Sequence, residues 1–228
     1  MSKSVKSKLY IVLSLIVLTT VAPAFAQRGS AVGGYGLRDA ADFVVKRLAL
    51  RKGQVIVDIG AGDGFWSAKM AEKVGSEGVV HAAEVEQRKV DSMKKKHADV
   101  PNLKPYLCPT NGPGLDANSC DLAFLSKTYH HLSDHVEYLR NLKKVIKPSG
   151  RICIIERHPD YATGGGKDHA WMPGLLGKQA EEAGWMLLRY EMIRNSDHFM
   201  MILGRPEFHV KRFEQRRQQA RKRSEGQR

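Results

Sequence analysis

Short apolar runs alternate with amphipathic stretches through the middle of this chain. Residues 54–59 form a β-branched run, which is typical of a central strand covered on both faces. Residues 65–75 follow with apolar positions at helical spacing, which predicts a helix. Further strands are expected over the apolar runs at 78–84, 103–107, 120–126 and 151–156. The alternation predicts a doubly wound α/β domain with a mostly parallel sheet.

Capping and breaking residues limit the other predicted elements. Asp134 is a candidate N-cap of a helix that reaches Ile146, and Pro148 and Gly150 stop this helix before the fifth strand. The same reasoning predicts helices over 37–50 and 172–183, and a terminal hairpin of strands at 185–190 and 198–203. The hairpin reverses the direction of the last strand.

A glycine-rich turn follows the first predicted strand. Asp58 ends the strand, and Gly60, Gly62 and Gly64 let the backbone bend sharply and let a ligand lie against bare main chain. A dinucleotide site has a G-x-G-x-x-G spacing, whereas the third glycine here comes one position early. Asp63, inside the turn, would repel a pyrophosphate. The pattern therefore favours a ligand with a cationic or amino-bearing group over a dinucleotide.

The second predicted strand ends in an acid, Glu84. A carboxylate at the end of this strand can accept hydrogen bonds from both hydroxyl groups of a ribose. Its position therefore favours a ligand that contains adenosine.

With these features the chain resembles the class I S-adenosylmethionine-dependent methyltransferases. Residues 58–64 match the first motif of that family and Glu84 its second, while 120–126 and 142–151 resemble its fourth strand and the turn before its fifth. The resemblance covers roughly residues 35–205. It implies a Rossmann-like, doubly wound, mostly parallel seven-stranded sheet with a reversed last strand, and S-adenosyl-L-methionine as the cofactor.

The resemblance also implies a set of cofactor contacts. Asp58, Gly60 and Gly62 would bind the methionine part, Glu84 the ribose hydroxyls, and Val85 the adenine ring. Asp63 either acts through water or caps the following helix. Thr110 or Asn111 would replace the acid that many relatives direct at the adenine amino group, because each has an oxygen acceptor. The full expected set is Asp58, Gly60, Ala61, Gly62, Asp63, Gly64, Glu84, Val85, Thr110, Asn111 and Ser126.

The segment after the fourth strand holds the candidate catalytic residues Tyr129, His130 and His131. In the family this segment lines the cofactor and faces the substrate. A histidine titrates near neutral pH and is a natural general base, and because adjacent side chains diverge we expect one of the two in the cleft. Alternatively, both histidines pack against the next helix. Glu156 and His169 could wall the substrate pocket, and the histidines show no metal-ligand spacing, so no metal site is expected.

The turn before the fifth strand and the segment around Tyr129 are similar to those of small-molecule methylases. We therefore expect a methyltransferase whose acceptor is a small molecule, either lipid-like or quinone-like. An RNA or protein methyltransferase and a non-catalytic cofactor-binding protein remain alternatives, whereas the glycine spacing disfavours a nicotinamide oxidoreductase.

The first 26 residues have the pattern of a secretory signal peptide. Three lysines precede an apolar stretch at 9–21, and residues 24–26 form an A-x-A cleavage site. This predicts export to the periplasm or beyond, with a methyltransferase domain over 27–206. An uncleaved segment that anchors the chain to the membrane is the alternative.

The C-terminal tail at 207–228 carries eight basic and three acidic residues in a chain of net charge +13. It has almost no apolar residues after Phe213, so we expect it to be disordered or only transiently helical. Binding to nucleic acid, binding to an anionic surface and plain solubility all fit this composition. The three cysteines show no metal spacing, and Cys120 and Cys153 are expected in buried strands.

Overall fold

The computed structural model describes residues 36–162 and 169–225. The α-helices in these residues are α1 (Ala41–Leu48), α2 (Phe65–Val74), α3 (Gln87–Lys96), α4 (His135–Val145), α5 (Pro173–Glu182) and α6 (Pro206–Glu225). The strands are β1 (Val55–Ile59), β2 (Val79–Glu84), β3 (Leu103–Leu107), β4 (Cys120–Ser126), β5 (Ile146–Arg157), β6 (Met186–Met192) and β7 (His198–Gly204). None of the described helices is both long enough and apolar enough to cross a bilayer.

The seven strands form one sheet in the order β3-β2-β1-β4-β5-β7-β6. Neighbouring strands are parallel except at β7, which runs antiparallel to both β5 and β6. This confirms the predicted doubly wound sheet with a reversed last strand. The chain order reverses direction at β1, between β2 and β4, and in open α/β sheets a ligand binds at the carboxyl ends of the strands beside such a point.

The sheet separates two apolar clusters, and β1 shows why its sequence is apolar throughout. Ile56 contributes to the cluster that contains residues of α1, α2 and α3, whereas Val57 and Ile59 contribute to the cluster that contains residues of α4 and α5. All three side chains are 3% exposed or less. Because both faces are covered, apolar residues are required at consecutive positions.

Most element limits agree with the prediction, and the differences have local causes. Asp134 caps α4, where its carboxylate accepts a hydrogen bond from the backbone of Glu137 at 3.0 Å. The helix expected over 37–50 begins instead as a 3₁₀ turn at Leu37–Ala40, and α1 ends where Ala49 enters the left-handed region at a φ of 47°. Strand β5 begins five residues early, because Ile146 already pairs with Cys120.

The structure forms a regular helix, α6, in the tail, for which we expected either disorder or a transient helix. Its glutamate, glutamine, lysine and arginine residues have high intrinsic helix propensity, and Pro206 occupies the first helical position, where no amide donor is needed. The predicted signal peptide at 1–26 lies outside the described residues. Cys108, Cys120 and Cys153 are buried and free, which confirms the expected burial of the last two.

Candidate active site

A cavity of about 950 Å³ opens at the carboxyl ends of the central strands. Its volume lies within the range of roughly 300–1,000 Å³ that is usual for small-molecule sites. Eight of the fourteen expected cofactor-binding and catalytic residues line this cavity, and so does His169, which was expected at the substrate pocket; the eight are Gly60, Gly62, Glu84, Val85, Thr110, Ser126, His130 and His131. The remaining six expected site residues are not among those that line it.

The glycine turn forms one wall of the cavity as bare backbone. Gly60 and Gly62 have φ values of 69° and 59°, a region that favours glycine. The amides of Gly60 and Ala61 both donate to the carbonyl of Ala83, at 3.0 and 3.1 Å, and this pins the turn to β2. A Cβ at Gly60 would lie 2.5 Å from the side chain of Thr128, whereas a Cβ at Gly62 would meet only a backbone oxygen at 4.0 Å. Gly62 therefore leaves open space in which a ligand can approach the main chain.

The carboxylate of Glu84 is held rigidly at the end of β2. One oxygen accepts a hydrogen bond from the amide of Gly62 at 3.0 Å, and the other accepts one from the amide of Val85 at 2.9 Å. The residue is only 4% exposed, yet it lines the cavity. A carboxylate oxygen accepts more than one hydrogen bond, so Glu84 retains acceptor capacity for ligand hydroxyl groups.

Asp58 lies beneath the turn and is 1% exposed. Its carboxylate accepts a hydrogen bond of 2.5 Å from the hydroxyl of Ser67, which lies on α2. Burial raises the pKa of Asp58 to about 7, and the nearby charge of Glu84 adds to this rise, while the Ser67 hydrogen bond opposes it. Asp58 therefore ties β1 to α2 and is not among the residues that line the cavity, while its expected contact with the cofactor stays a prediction.

Asp63 lies just before α2 and contacts the first amide of this helix and two basic side chains. Its carboxylate accepts a hydrogen bond from the amide of Phe65 at 3.2 Å and pairs with Arg38 at 2.8 Å and Lys96 at 2.9 Å. Partial burial raises its pKa, but the hydrogen bonds from Lys96 and Arg38 outweigh burial and lower the pKa to about 2. The two cations offset the charge that would otherwise repel an anionic ligand.

Four other expected site residues also have local roles away from the cavity. Ala61 is part of the pinned turn, and Gly64 is the N-cap of α2, packed against His97. The carbonyl of Asn111 accepts a hydrogen bond from Asn141 on α4. Tyr129 is fully buried and its hydroxyl group donates to Gln179 on α5 at 3.0 Å. It is not among the residues that line the cavity, and its expected catalytic role stays a prediction.

Two unpartnered polar atoms at the cavity wall match an absent ligand. The hydroxyl oxygen of Ser126 and Nε2 of His198 are buried, and neither has a hydrogen-bond partner within the described residues. Both residues line the cavity. With the open face of Gly62 and the fixed carboxylate of Glu84, they form a donor and acceptor set that fits an adenosine-containing cofactor. His198 was not expected from the sequence, because it occupies the first position of an apolar strand.

A buried carboxylate orients His130. Nδ1 of His130 lies 2.8 Å from one oxygen of Glu156, and the backbone amide of His130 donates to the other oxygen at 3.3 Å. Glu156 is fully buried at the end of β5, and only 10% of the His130 side chain is exposed. A carboxylate can only accept hydrogen bonds, so a neutral His130 ring facing the Glu156 carboxylate would donate from Nδ1 and leave the lone pair on Nε2. This pair is a preformed proton acceptor at the cavity wall.

Two further histidines lie beside His130. The ring centroids of His131 and His169 are 4.0 and 5.2 Å from that of His130. Partial burial lowers the pKa of His131, and the neighbouring rings of His130 and His169 lower it further. One ring nitrogen atom from each of the three side chains lies within 4.8 Å of the other two. Spacing along the chain did not reveal this group, because His169 follows His131 by a long connection.

Comparison with known families and structures places this site in a known class of fold. A family model described as a methyltransferase domain matches residues 50–196. A solved structure of a SAM-dependent methyltransferase from Aquifex aeolicus is similar, with a TM-score of 0.67 and 25% sequence identity, over 72% of this chain and 88% of that one.

Curated relatives match a shorter region. A demethylmenaquinone methyltransferase of Staphylococcus aureus strain MRSA252 is 26% identical over 113 residues, which is 50% of this chain and 47% of the relative. A demethylmenaquinone methyltransferase of Listeria welshimeri serovar 6b is 30% identical over 114 residues, or 49% of this chain and 48% of the relative. This chain therefore spans about half the length of the curated relatives it matches.

Proposed function

We propose that this chain, which belongs to the methyltransferase domain family, transfers a methyl group from S-adenosylmethionine to a small-molecule acceptor. S-adenosylmethionine is the cofactor of this methyltransferase class, and when bound it supplies an electrophilic methyl group and leaves as S-adenosylhomocysteine. One observation carries the proposal. A single cavity is lined both by Glu84, whose carboxylate is fixed, and by His130, whose ring contacts the buried carboxylate of Glu156.

The cofactor end of the cavity would hold its ligand through residues of β1, β2 and β4. Glu84 would accept hydrogen bonds from the ribose hydroxyls, since Gly62 and Val85 already fix its two oxygens in place. The backbone of Gly60 and Gly62 would lie against the methionine part, and Ser126 would gain the partner that its buried hydroxyl group lacks. Rigid positioning of this kind accounts for much of the acceleration of a two-substrate reaction.

The end of the cavity beside His130, the acceptor end, would remove a proton from the molecule that receives the methyl group. Nε2 of His130 is available as the base, and Glu156 stabilises the imidazolium that forms, because its carboxylate holds Nδ1 at 2.8 Å. As the proton moves to Nε2, the electron pair of the acceptor forms the new bond to the methyl carbon. This chemistry suits an acidic hydroxyl group or an acidic carbon. A quinol-type ring offers both, and the curated relatives named demethylmenaquinone methyltransferases support an acceptor of this class.

Isothermal titration with S-adenosylhomocysteine tests the cofactor end. Glu84→Gln should weaken binding roughly 10- to 100-fold, because hydrogen bonds to a charged group contribute about 1.5–3 kcal/mol and each 1.4 kcal/mol is tenfold in affinity. Glu72→Gln, which removes an exposed carboxylate on α2 that pairs with Lys73, is the matched control and should bind as the wild type does. Binding of NAD instead of S-adenosylhomocysteine by the wild-type protein would overturn the proposal.

Transfer of a labelled methyl group to a panel of quinols and phenols tests the acceptor end. Glu156→Gln keeps the shape of the side chain but cannot stabilise an imidazolium, so kcat should fall about 10²- to 10⁴-fold, the usual contribution of a general base. Affinity for S-adenosylhomocysteine should not change. Equal losses of affinity and kcat would show instead that Glu156 maintains the cavity as a whole.

A macromolecular acceptor is the second candidate, and α6 favours it. Lys211, Arg212, Arg216 and Arg217 lie on the exposed surface of this helix. If α6 docks RNA, deletion of 207–228 should abolish a binding that falls steeply with salt concentration, because each neutralised phosphate releases counterions. Methyl transfer to the small-molecule panel that persists after the deletion would favour the first candidate.

We also propose, from residues 1–26, that the protein is exported.

A further inference from the structure

We propose that His130, His131 and His169 form a binding site for one divalent transition-metal ion, with Zn²⁺ as the reference ion. The three residues come from two separate parts of the chain, one after β4 and the other before α5. One ring nitrogen atom from each residue lies within 4.8 Å of the other two. A tetrahedral zinc site with bonds of about 2.0–2.1 Å requires nitrogen atoms about 3.3 Å apart, so side-chain rotations must bring these atoms closer by up to about 1.5 Å when the ion binds.

The donor set matches the chemistry of such an ion. Three neutral imidazoles suit zinc, copper, iron and nickel, whereas Mg²⁺ and Ca²⁺ prefer oxygen ligands. Three protein ligands leave one position of a tetrahedral ion open, as in catalytic rather than structural zinc sites. The cavity faces this position, because all three histidines line it.

Glu156 supplies the second shell that a histidine ligand usually has. A ligating imidazole commonly donates its other ring N–H to a carboxylate, which fixes the tautomer and strengthens the metal bond. Nδ1 of His130 makes this contact with Glu156 at 2.8 Å, so Nε2 is presented as the ligand atom. The buried negative charge of Glu156 also offsets the positive charge of an ion at the cluster.

The third ligand is placed by packing. Ala170, next to His169, forms a parallel bridge with Arg157 at the end of β5, and the amide of Trp171 donates to the carbonyl of Arg157 at 2.8 Å. The Trp171 ring packs against His135, with centroids 4.6 Å apart. These contacts hold the backbone beside His169 against the same strand that carries Glu156.

Metal binding and the proposed base use the same atom. One lone pair on Nε2 of His130 cannot hold an ion and accept a proton at the same time, so the metal-loaded and base-competent forms exclude each other. This consequence rests on the proposed function, but metal binding itself does not. Protein that binds one Zn²⁺ but transfers no methyl group in its metal-free form would support the site and refute the proposed function.

The test measures bound metal directly. Untagged protein is dialysed with Zn²⁺ and then against metal-free buffer, and zinc per chain is counted by mass spectrometry, with Mg²⁺ as a parallel arm. We expect one Zn²⁺ and no Mg²⁺ per wild-type chain. His131→Ala and His169→Ala, both at exposed positions, should weaken Zn²⁺ binding at least tenfold, and Glu156→Gln should weaken it about 10- to 100-fold.

The matched control is His81→Ala, which removes a partly exposed histidine of β2 outside the cluster and should retain one Zn²⁺. Thermal unfolding of each variant, together with the visible spectrum of the Co²⁺-loaded protein, separates loss of the site from loss of the fold. The site is refuted if the wild-type chain retains no zinc, or if folded His169→Ala retains as much zinc as His81→Ala does.

Discussion

Replacement of Asp58 by asparagine should make this protein more stable at pH 8 while leaving it almost unchanged at pH 4. The wild-type side chain is 1% exposed and accepts a 2.5 Å hydrogen bond from Ser67. Asparagine keeps an oxygen in the same place to accept this bond, and it removes the ionisable group. The substitution therefore isolates the cost of holding a carboxylate inside the domain.

The size of the effect follows from the pKa. Burial, opposed by the Ser67 hydrogen bond, raises the pKa of Asp58 from 3.8 to about 7 in the folded protein. Between these two values the folded state holds a proton that the unfolded chain has released. The free energy of unfolding therefore falls as the pH rises through this window, and it becomes constant above about pH 7. A shift of about three units corresponds to roughly 4 kcal/mol at most.

Urea unfolding of both proteins at several pH values between 4 and 8.5 measures this effect. The stability of Asp58→Asn minus that of the wild type should increase through the window and then level off. Asp91→Asn, which removes an exposed carboxylate on α3, is the control, and its difference from the wild type should stay nearly constant. A difference for Asp58→Asn that is the same at pH 4.5 and pH 8 would refute the argument, because no change in ionisation at Asp58 would then accompany folding.

Three further substitutions have definite outcomes. Gly64→Ala should destabilise the protein by about 2–4 kcal/mol in urea unfolding, because φ is 77° and the new Cβ would lie 2.7 Å from His97. Gly62→Ala should cost only about 1–2 kcal/mol, since its Cβ meets open space, but it should weaken S-adenosylhomocysteine binding in a titration by occupying that space. Asp134→Ala should cost about 1 kcal/mol, as the N-cap bond to Glu137 is lost, and an unchanged unfolding midpoint would contradict the capping role.

The prediction from sequence succeeded where neighbouring residues decide the outcome. The apolar run of β1 and the glycines after it define a strand and a turn through side-chain pattern and backbone freedom alone, and the Asp134 cap is a contact over three residues. In the tail two local signals compete. The lack of apolar residues predicts disorder or a transient helix, whereas the helix propensity of its residues favours α6.

The sequence by itself determined the succession of strands and helices along the chain and the position of the cavity. Apolar patterns, glycine spacing and the acid at the end of β2 are all features of short segments, so they can be read without the tertiary structure. Only the tertiary structure decided which side chains the cavity receives. Asp58 lies beneath the turn, Tyr129 lies in the core, and Glu156 lies behind His130. The reason is physical: these contacts join residues 9 to 50 positions apart, and only the packing of helices on the two faces of the sheet determines which of them meet.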